Sequence, residues 1–300
     1  MSKTSAKIIL DSVHPDVPSA RITTIEYEAP RFLLAEINTH GVISRSAASS
    51  RAIPVEKRIE MARTGPFEPI VFGKNARGMQ ARGEVQGSKA IECHEVWDEA
   101  RLAAIHAAAR LADLEVHKQQ ANRILEPYVY VKGVMTATEW ENFFALRYHA
   151  DADPEFENLA REIHVAMKGS VPVARRVHLP YATDSEDCDG LDHDEKTMVS
   201  AARCARISYR LFDGALSNVA GDLDLCKRLL TSKHMSPFQH LAVADDLVYE
   251  DNSDIWAKWQ NPQKHERYWG WVPIRFEIER QLGMKSRRSS FEKLRVDPSL

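Results

Sequence analysis

Three features of the sequence predict an α/β (α+β) protein. Residues 6–12 (AKIILDS) and 20–29 (ARITTIEYEA) are dominated by β-branched and aromatic residues with interleaved polar positions, the pattern of half-buried strands. Residues 93–125 are Ala-rich, with apolar residues recurring at intervals of three and four, which predicts one long helix. A strand-like run, HLAVADDLVYE, returns late in the chain at 240–250.

The elements follow in order. Pro30 opens RFLLAEINTHGV, where Phe32, Leu33, Leu34 and Ile37 share one face of a short helix. Residues 66–92 are rich in Gly, Pro and amides and predict an irregular, functional stretch. TATEWENFFALRYH (136–149) predicts a second helix with Thr138 as its N-cap. A third runs from Asp153, before Pro154, to a stop at Gly169. Residues 182–196 (ATDSEDCDGLDHDEK) are acidic without calcium-loop spacing, which predicts a solvated loop and an internal boundary. Helices are expected again at 197–212 and 219–232, before a basic, Ser-containing C-terminus, KSRRSSFEKLR.

Composition narrows the class. The chain has 300 residues and a net charge of −3, so nothing draws it globally to nucleic acid or an anionic membrane. No apolar run approaches the roughly 20 residues of a membrane span. MSKTSAKIILDSV lacks the apolar core and small-residue cleavage site of a secretory signal. Cys93, Cys188, Cys204 and Cys226 form no CxxC pair, and the 12 His show no HExxH. We therefore expect reduced thiols, no metal, a soluble protein and a cytoplasmic location (the host's cytoplasm for a viral chain).

NTHGVISRSAASSR (38–51) places one His, four Ser and two Arg in fourteen residues. Short hydroxyl donors around guanidinium groups suit an oxyanion such as phosphate; a solvated polar segment is the alternative reading. Three other stretches decide between them. THGVISRSAASSRA (39–52), AARCARISY (201–209) and SKHMSPFQH (232–240) each resemble a block of the flavin-dependent thymidylate synthases, and NRILEPY followed by TATEWENFFALRYHADADPEF resembles a fourth. The order is rearranged: the Ala-Arg and His-x-Ser-Pro-Phe blocks follow the others instead of preceding them, as in a permuted, phage-like relative. The family's Arg-His-Arg signature reads Thr39-His40-Gly41, with Ser46 in place of Asn, whereas His40, Ser44, Ser49 and Arg51 remain. Arg45 and Lys57 are the nearby cations that could compensate.

The resemblance implies a fold with long helices packed on a mixed sheet, in a single domain over 1–300, with substrate-binding blocks in 1–180 and flavin-contacting blocks in 196–300. It implies transfer of a one-carbon unit from methylenetetrahydrofolate to C5 of a pyrimidine deoxynucleoside monophosphate, with FAD as hydride carrier, NADPH as reductant and a homotetrameric assembly. dUMP to dTMP is the default; hydroxymethylation of dCMP is the rival, and a non-catalytic nucleotide-binding relative is the rival of another class. By that resemblance Arg147 polarises the pyrimidine, and Glu36 stands where an acid can meet a cytosine amine. Ser49, Ser50, Arg51, Arg123 and Arg147 hold the nucleotide, and His40, Ser44, Ser46, Asn142, Ser208 and His234 contact the flavin. Cys204 and Cys226 are expected in the core. In RYWGWVPIRFEIERQ, Trp269 and Trp271 either stack a pterin or a base, or are buried.

Overall fold

β1 (Ser5–Val13) and β2 (Arg21–Pro30) pair antiparallel in the computed structural model, which describes residues 3–78, 80–81, 83–208, 218–249 and 257–284. They lie in a five-stranded sheet with β3 (Ser44–Ala47), β4 (Tyr130–Ala137) and β5 (Val173–Ala174), in the order β3-β4-β2-β1-β5. Only β1 and β5 run parallel, so the sheet is mixed as expected. The period of two divides its faces. Ile25, Tyr27 and Met135 face a core shared with α1 (Leu34–Ile37), α5 (Glu141–Arg147) and α6 (Pro154–Lys168), which add Ile37, Phe143, Phe156 and Leu159. Tyr27 lies opposite Gly133, where any Cβ would come within 2.3 Å of the phenol ring, so only glycine fits. Thr24 and Thr136, also paired in register, carry polar groups on the other face.

That second face is covered by the C-terminal half. β6 (Val177–His178) joins a three-stranded sheet, β10-β7-β6, with β7 (Ala242–Ala244) and β10 (Trp271–Pro273). Beside it α7 (His193–Ala205) and α8 (Val219–Thr231) pack around Val199, Ala202, Cys204 and Cys226. Both cysteines are buried, and burial pushes the Cys226 thiol up to about 11, so it is core and no nucleophile at neutral pH. Trp271 is buried against Ile22 and Tyr268, whereas Trp269 is 44% exposed. Among the described residues no helix is long and apolar enough to cross a membrane, and no cluster of three or more His, Cys, Asp or Glu could hold a metal ion.

Three local expectations need correction. The helix read across 93–125 is α3 (Ser88–Asp113), which stops early. Glu115 adopts φ 58°, and the amides of Glu115 and Val116 return to the carbonyls of Ala112 and Leu111, each at 2.9 Å. This closure usually announces itself with Gly, and here a Glu makes it unannounced. Thr138 does not cap α5: Ala137 still belongs to β4, and the Thr138 hydroxyl accepts from the amide of Trp269 at 3.0 Å. The acidic tract is only partly a solvated loop, because Asp192 forms a capping box with Glu195 at the start of α7, and Asp187 pairs with Arg203. The third helix is as expected, with Asp153 accepting from the amides of Glu155 and Phe156 and Gly169 as C-cap. The basic C-terminus lies outside the described residues.

Candidate active site

The segment after α1 is wound around a cation. The Arg45 guanidinium donates to the carbonyls of Asn38 (2.6 Å), His40 (2.8 Å) and Ile43 (2.8 Å), and to Asn38 Oδ1 at 2.8 Å. Four acceptors on one planar group fix the turn that delivers β3 to the sheet edge. Arg45, one of the two cations expected to compensate for the lost signature arginines, thus spends its donors on its own loop.

The same turn brings three predicted residues together. Arg147, at the last turn of α5, donates from Nε to His40 Nε2 at 3.0 Å and from Nη1 to Glu36 at 2.8 Å. Its guanidinium also lies over the Phe156 ring, 4.4 Å from the centroid. His40 is buried against Phe143. Burial, then the charges of Arg147 and Arg45, push its pKa down to about 4, so it is neutral at pH 7 and accepts from Arg147.

Where β3 meets the C-terminal half lies a groove of about 630 Å³. Ser46, Ser49, Arg51, His234 and Ser236 form its polar side; Ile207, Leu225 and Leu229 form an apolar side. His234 is exposed there, at the end of the turn after α8. Residues from THGVISRSAASSR, AARCARISY and SKHMSPFQH, up to about 190 positions apart, thereby line one cavity; Ser46 and Ser236 are themselves 3.3 Å apart.

A second polar cluster braces the turn behind Arg51. Glu126 accepts from Ser50 Oγ (2.5 Å) and Arg123 (3.1 Å) and pairs with Arg31 Nε at 3.0 Å. Buried Arg58 reaches Ser50 Oγ at 3.4 Å, and Asn122 Nδ2 holds the carbonyls of Ser50 and Ile53, each at 2.8 Å. Burial, with the charge of Arg31, pushes the Arg58 pKa down to about 10, and the Glu126 carboxylate works against that shift. Of the predicted nucleotide residues, Ser49 and Arg51 therefore sit at the groove, whereas Ser50 and Arg123 are engaged with Glu126. Ser44 is buried on β3, and Asn142 is exposed on α5, where no hydrogen bond of its side chain is among the described contacts. Ser208 ends a short 3-10 turn after α7, its side chain outside the described residues.

Arg31, Arg58 and Glu126 were not among the residues singled out from sequence. Arg58 had a readable signal. It falls in the apolar stripe of α2 (Val55–Thr64) with Val55, Ile59 and Ala62, and a charge on such a stripe needs a buried partner.

Buried ionisable groups also make stability pH-dependent. His178 and His240 are fully buried, and burial pushes each down to about 3. As pH falls below about 6.5 the unfolded chain takes up protons that these two, and His40, refuse in the fold, so stability falls with pH by up to about 1.4 kcal/mol per pH unit for each. Glu155, pushed up to about 7 by burial, acts in the opposite sense between about 7 and 4.5. Three histidines outweigh one glutamate. Urea unfolding should give lower stability at pH 5 than at pH 7, and an unchanged or higher value at pH 5 would contradict the assignment.

The matching family model, "Thymidylate synthase complementing protein", covers residues 4–173, more than half of the chain. The chain belongs to this family, whose members are enzymes of one-carbon transfer. Among solved structures it is similar to a UMP/dUMP methylase, PolB from Streptomyces cacaoi, bound with 5-Br UMP, at 14% identity over 56% of this chain and 89% of that one, with a TM-score of 0.45. A second structure of PolB, bound with 5-Br dUMP, matches at 16% identity over 50% of this chain and 67% of that one, with a TM-score of 0.39. No curated protein sequence matches the chain.

Proposed function

We propose that this enzyme transfers a one-carbon unit from methylenetetrahydrofolate to C5 of a pyrimidine deoxynucleoside monophosphate, by default methylating dUMP to dTMP, with FAD as cofactor and NADPH as reductant. The observation that carries the reading is the convergence of three distant sequence blocks on one groove. An apolar wall facing a row of hydroxyl, imidazole and guanidinium groups suits a planar heteroaromatic ring with carbonyl edges and a phosphate tail. FAD fits that donor set: Ser46 and His234 would meet its polar edge, and Ile207, Leu225 and Leu229 its faces. Reduced flavin, when bound, supplies the hydride that turns the transferred carbon into a methyl group.

The remaining work falls to the chain's own residues. Arg51 and Ser49 hold the nucleotide phosphate, and Ser50, Arg123 and Glu126 keep their turn rigid. Arg147 holds positive charge where electron density must accumulate on the pyrimidine as C5 becomes nucleophilic. Neutral His40 orients that guanidinium without competing for its charge. Residues 1–180 and 196–300 act as one domain in this reading, and a homotetramer is the assembly that goes with it.

A second reading, hydroxymethylation of dCMP, is favoured by Glu36. One carboxylate oxygen is held by Arg147, and the side chain is 43% exposed, so the other oxygen can accept from a cytosine amine. The test incubates the protein with FAD, reductant, methylenetetrahydrofolate and either dUMP or dCMP, and weighs the nucleotide. A methyl gain on dUMP supports the first reading, a hydroxymethyl gain on dCMP the second. No gain on either, in a protein that binds dUMP, would leave a non-catalytic nucleotide-binding relative.

A further inference from the structure

A continuous series of buried hydroxyl and imidazole groups crosses the sheet and ends at the groove. Ser12 Oγ lies 2.9 Å from His178 Nδ1, and His178 Nε2 lies 2.8 Å from Thr24 Oγ1. Thr24 Oγ1 is 2.7 Å from Thr136 Oγ1, which is 3.0 Å from His240 Nδ1. His240 Nε2 then lies 2.9 Å from Ser46 Oγ on the groove wall. Ser12, Thr24, Thr136, His178 and His240 all have 0% exposure. Holding a sheet against its neighbour needs only apolar side chains, and each buried hydroxyl or imidazole costs stability unless it is paired. Here every one is.

The series has a direction. Each hydroxyl carries one proton, and each neutral imidazole carries one. Burial keeps both histidines neutral at pH 7. Among the described contacts the Ser12 hydroxyl has a single partner, His178 Nδ1, so its proton goes there; reversing the series would strand that proton in the interior. As far as Thr136 the rest follows by valence. His178 carries its proton on Nε2 and donates to Thr24, and Thr24 donates to Thr136. Thr136 has two acceptors in reach, His240 Nδ1 at 3.0 Å and the oxygen of Tyr268, whose own proton goes to the Gln239 carbonyl at 2.6 Å. With the Thr136 proton on His240 Nδ1, His240 carries Nε2–H and donates to Ser46, whose own proton is left for the groove or for Ser236.

We propose that His178, Thr24, Thr136 and His240 are positioning residues that hold Ser46 as a one-way hydrogen-bond donor toward a carbonyl or phosphoryl oxygen of the groove's ligand. The identity of that ligand rests on the proposed function; the direction of the series does not. The first measurement is a long-range proton–nitrogen spectrum of the histidine-15N-labelled full chain. His178 and His240 should each show a protonated Nε2 and a bare Nδ1, unchanged from about pH 6 to 8. A protonated Nδ1 on His240 overturns the proposal, and this spectrum decides even where a variant fails to fold. The second measurement titrates FAD, and separately dUMP, into Ser46→Ala, Thr136→Val and Thr136→Ser. Loss of one directed hydrogen bond should weaken one of the two probes about tenfold in the first two variants, with Thr136→Ser restoring it. Undiminished binding of both probes by folded Ser46→Ala overturns the donor role. A wild-type chain that binds neither probe overturns the proposed function instead, and the spectrum still decides the direction of the series.

Discussion

Arg147→Ala should lower kcat by about 10²–10³, the usual consequence of deleting a pre-aimed group that stabilises developing charge. The fold should survive, because the guanidinium is 19% exposed and its Glu36 partner 43% exposed, and such pairs contribute only about 0–1 kcal/mol. Arg147→Lys should recover little. An ammonium keeps the charge but cannot reach His40 and Glu36 at once in the fork that the guanidinium makes at 3.0 and 2.8 Å. The check is kcat and KM for the accepted nucleotide, measured separately, alongside the thermal midpoint. A kcat within about threefold of wild type would remove Arg147 from the chemistry.

The largest stability effect is expected at Asp222, on α8, the helix that also carries Leu225 and Leu229 of the groove's apolar side. Its carboxylate has 0% exposure and accepts from Arg203 Nε at 2.9 Å and Arg206 Nε at 2.6 Å. Arg203 is itself 5% exposed and also holds Asp187, the Tyr181 carbonyl at 2.8 Å and Ser185 Oγ at 3.0 Å. Asp222→Ala leaves two guanidinium groups facing a void, one of them buried, and should destabilise by about 3–5 kcal/mol. Arg206→Ala, at the more exposed partner, should cost far less. Urea unfolding of both variants checks the ranking, and equal losses would contradict it. Arg203 and Arg206 lie in AARCARISY, so that block serves the fold through its arginines while Cys204, Ala205 and Ile207 meet the groove.

What was legible in the sequence depended on how local its cause was. The β-branched runs marked β1 and β2, and Asp153-Pro154 with Gly169 marked both ends of α6, because propensity and capping act within a few residues. The end of α3 was not legible, since Glu115 takes a backbone conformation that a glycine would have advertised. Nor was the role of Asp187, whose charge reads as solvated until Arg203, 16 positions on, is folded against it. The site divides in the same way. His40, Arg51, Arg147 and His234 stood out through their sequence blocks. The Glu36–Arg147–His40 contact spans more than 100 positions, and the hydrogen-bonded series from Ser12 to Ser46 draws on six separate segments, so neither has a local signature.

Release of tritium from [5-3H]dUMP or [5-3H]dCMP tests the central claim most directly, because methylation and hydroxymethylation both expel the C5 proton. The wild-type chain with FAD, reductant and methylenetetrahydrofolate should release tritium from one of the two, and Arg147→Ala should release it about 10²–10³ times more slowly. No release from either nucleotide, by a folded chain that takes up FAD, would contradict the assignment of chemistry at C5.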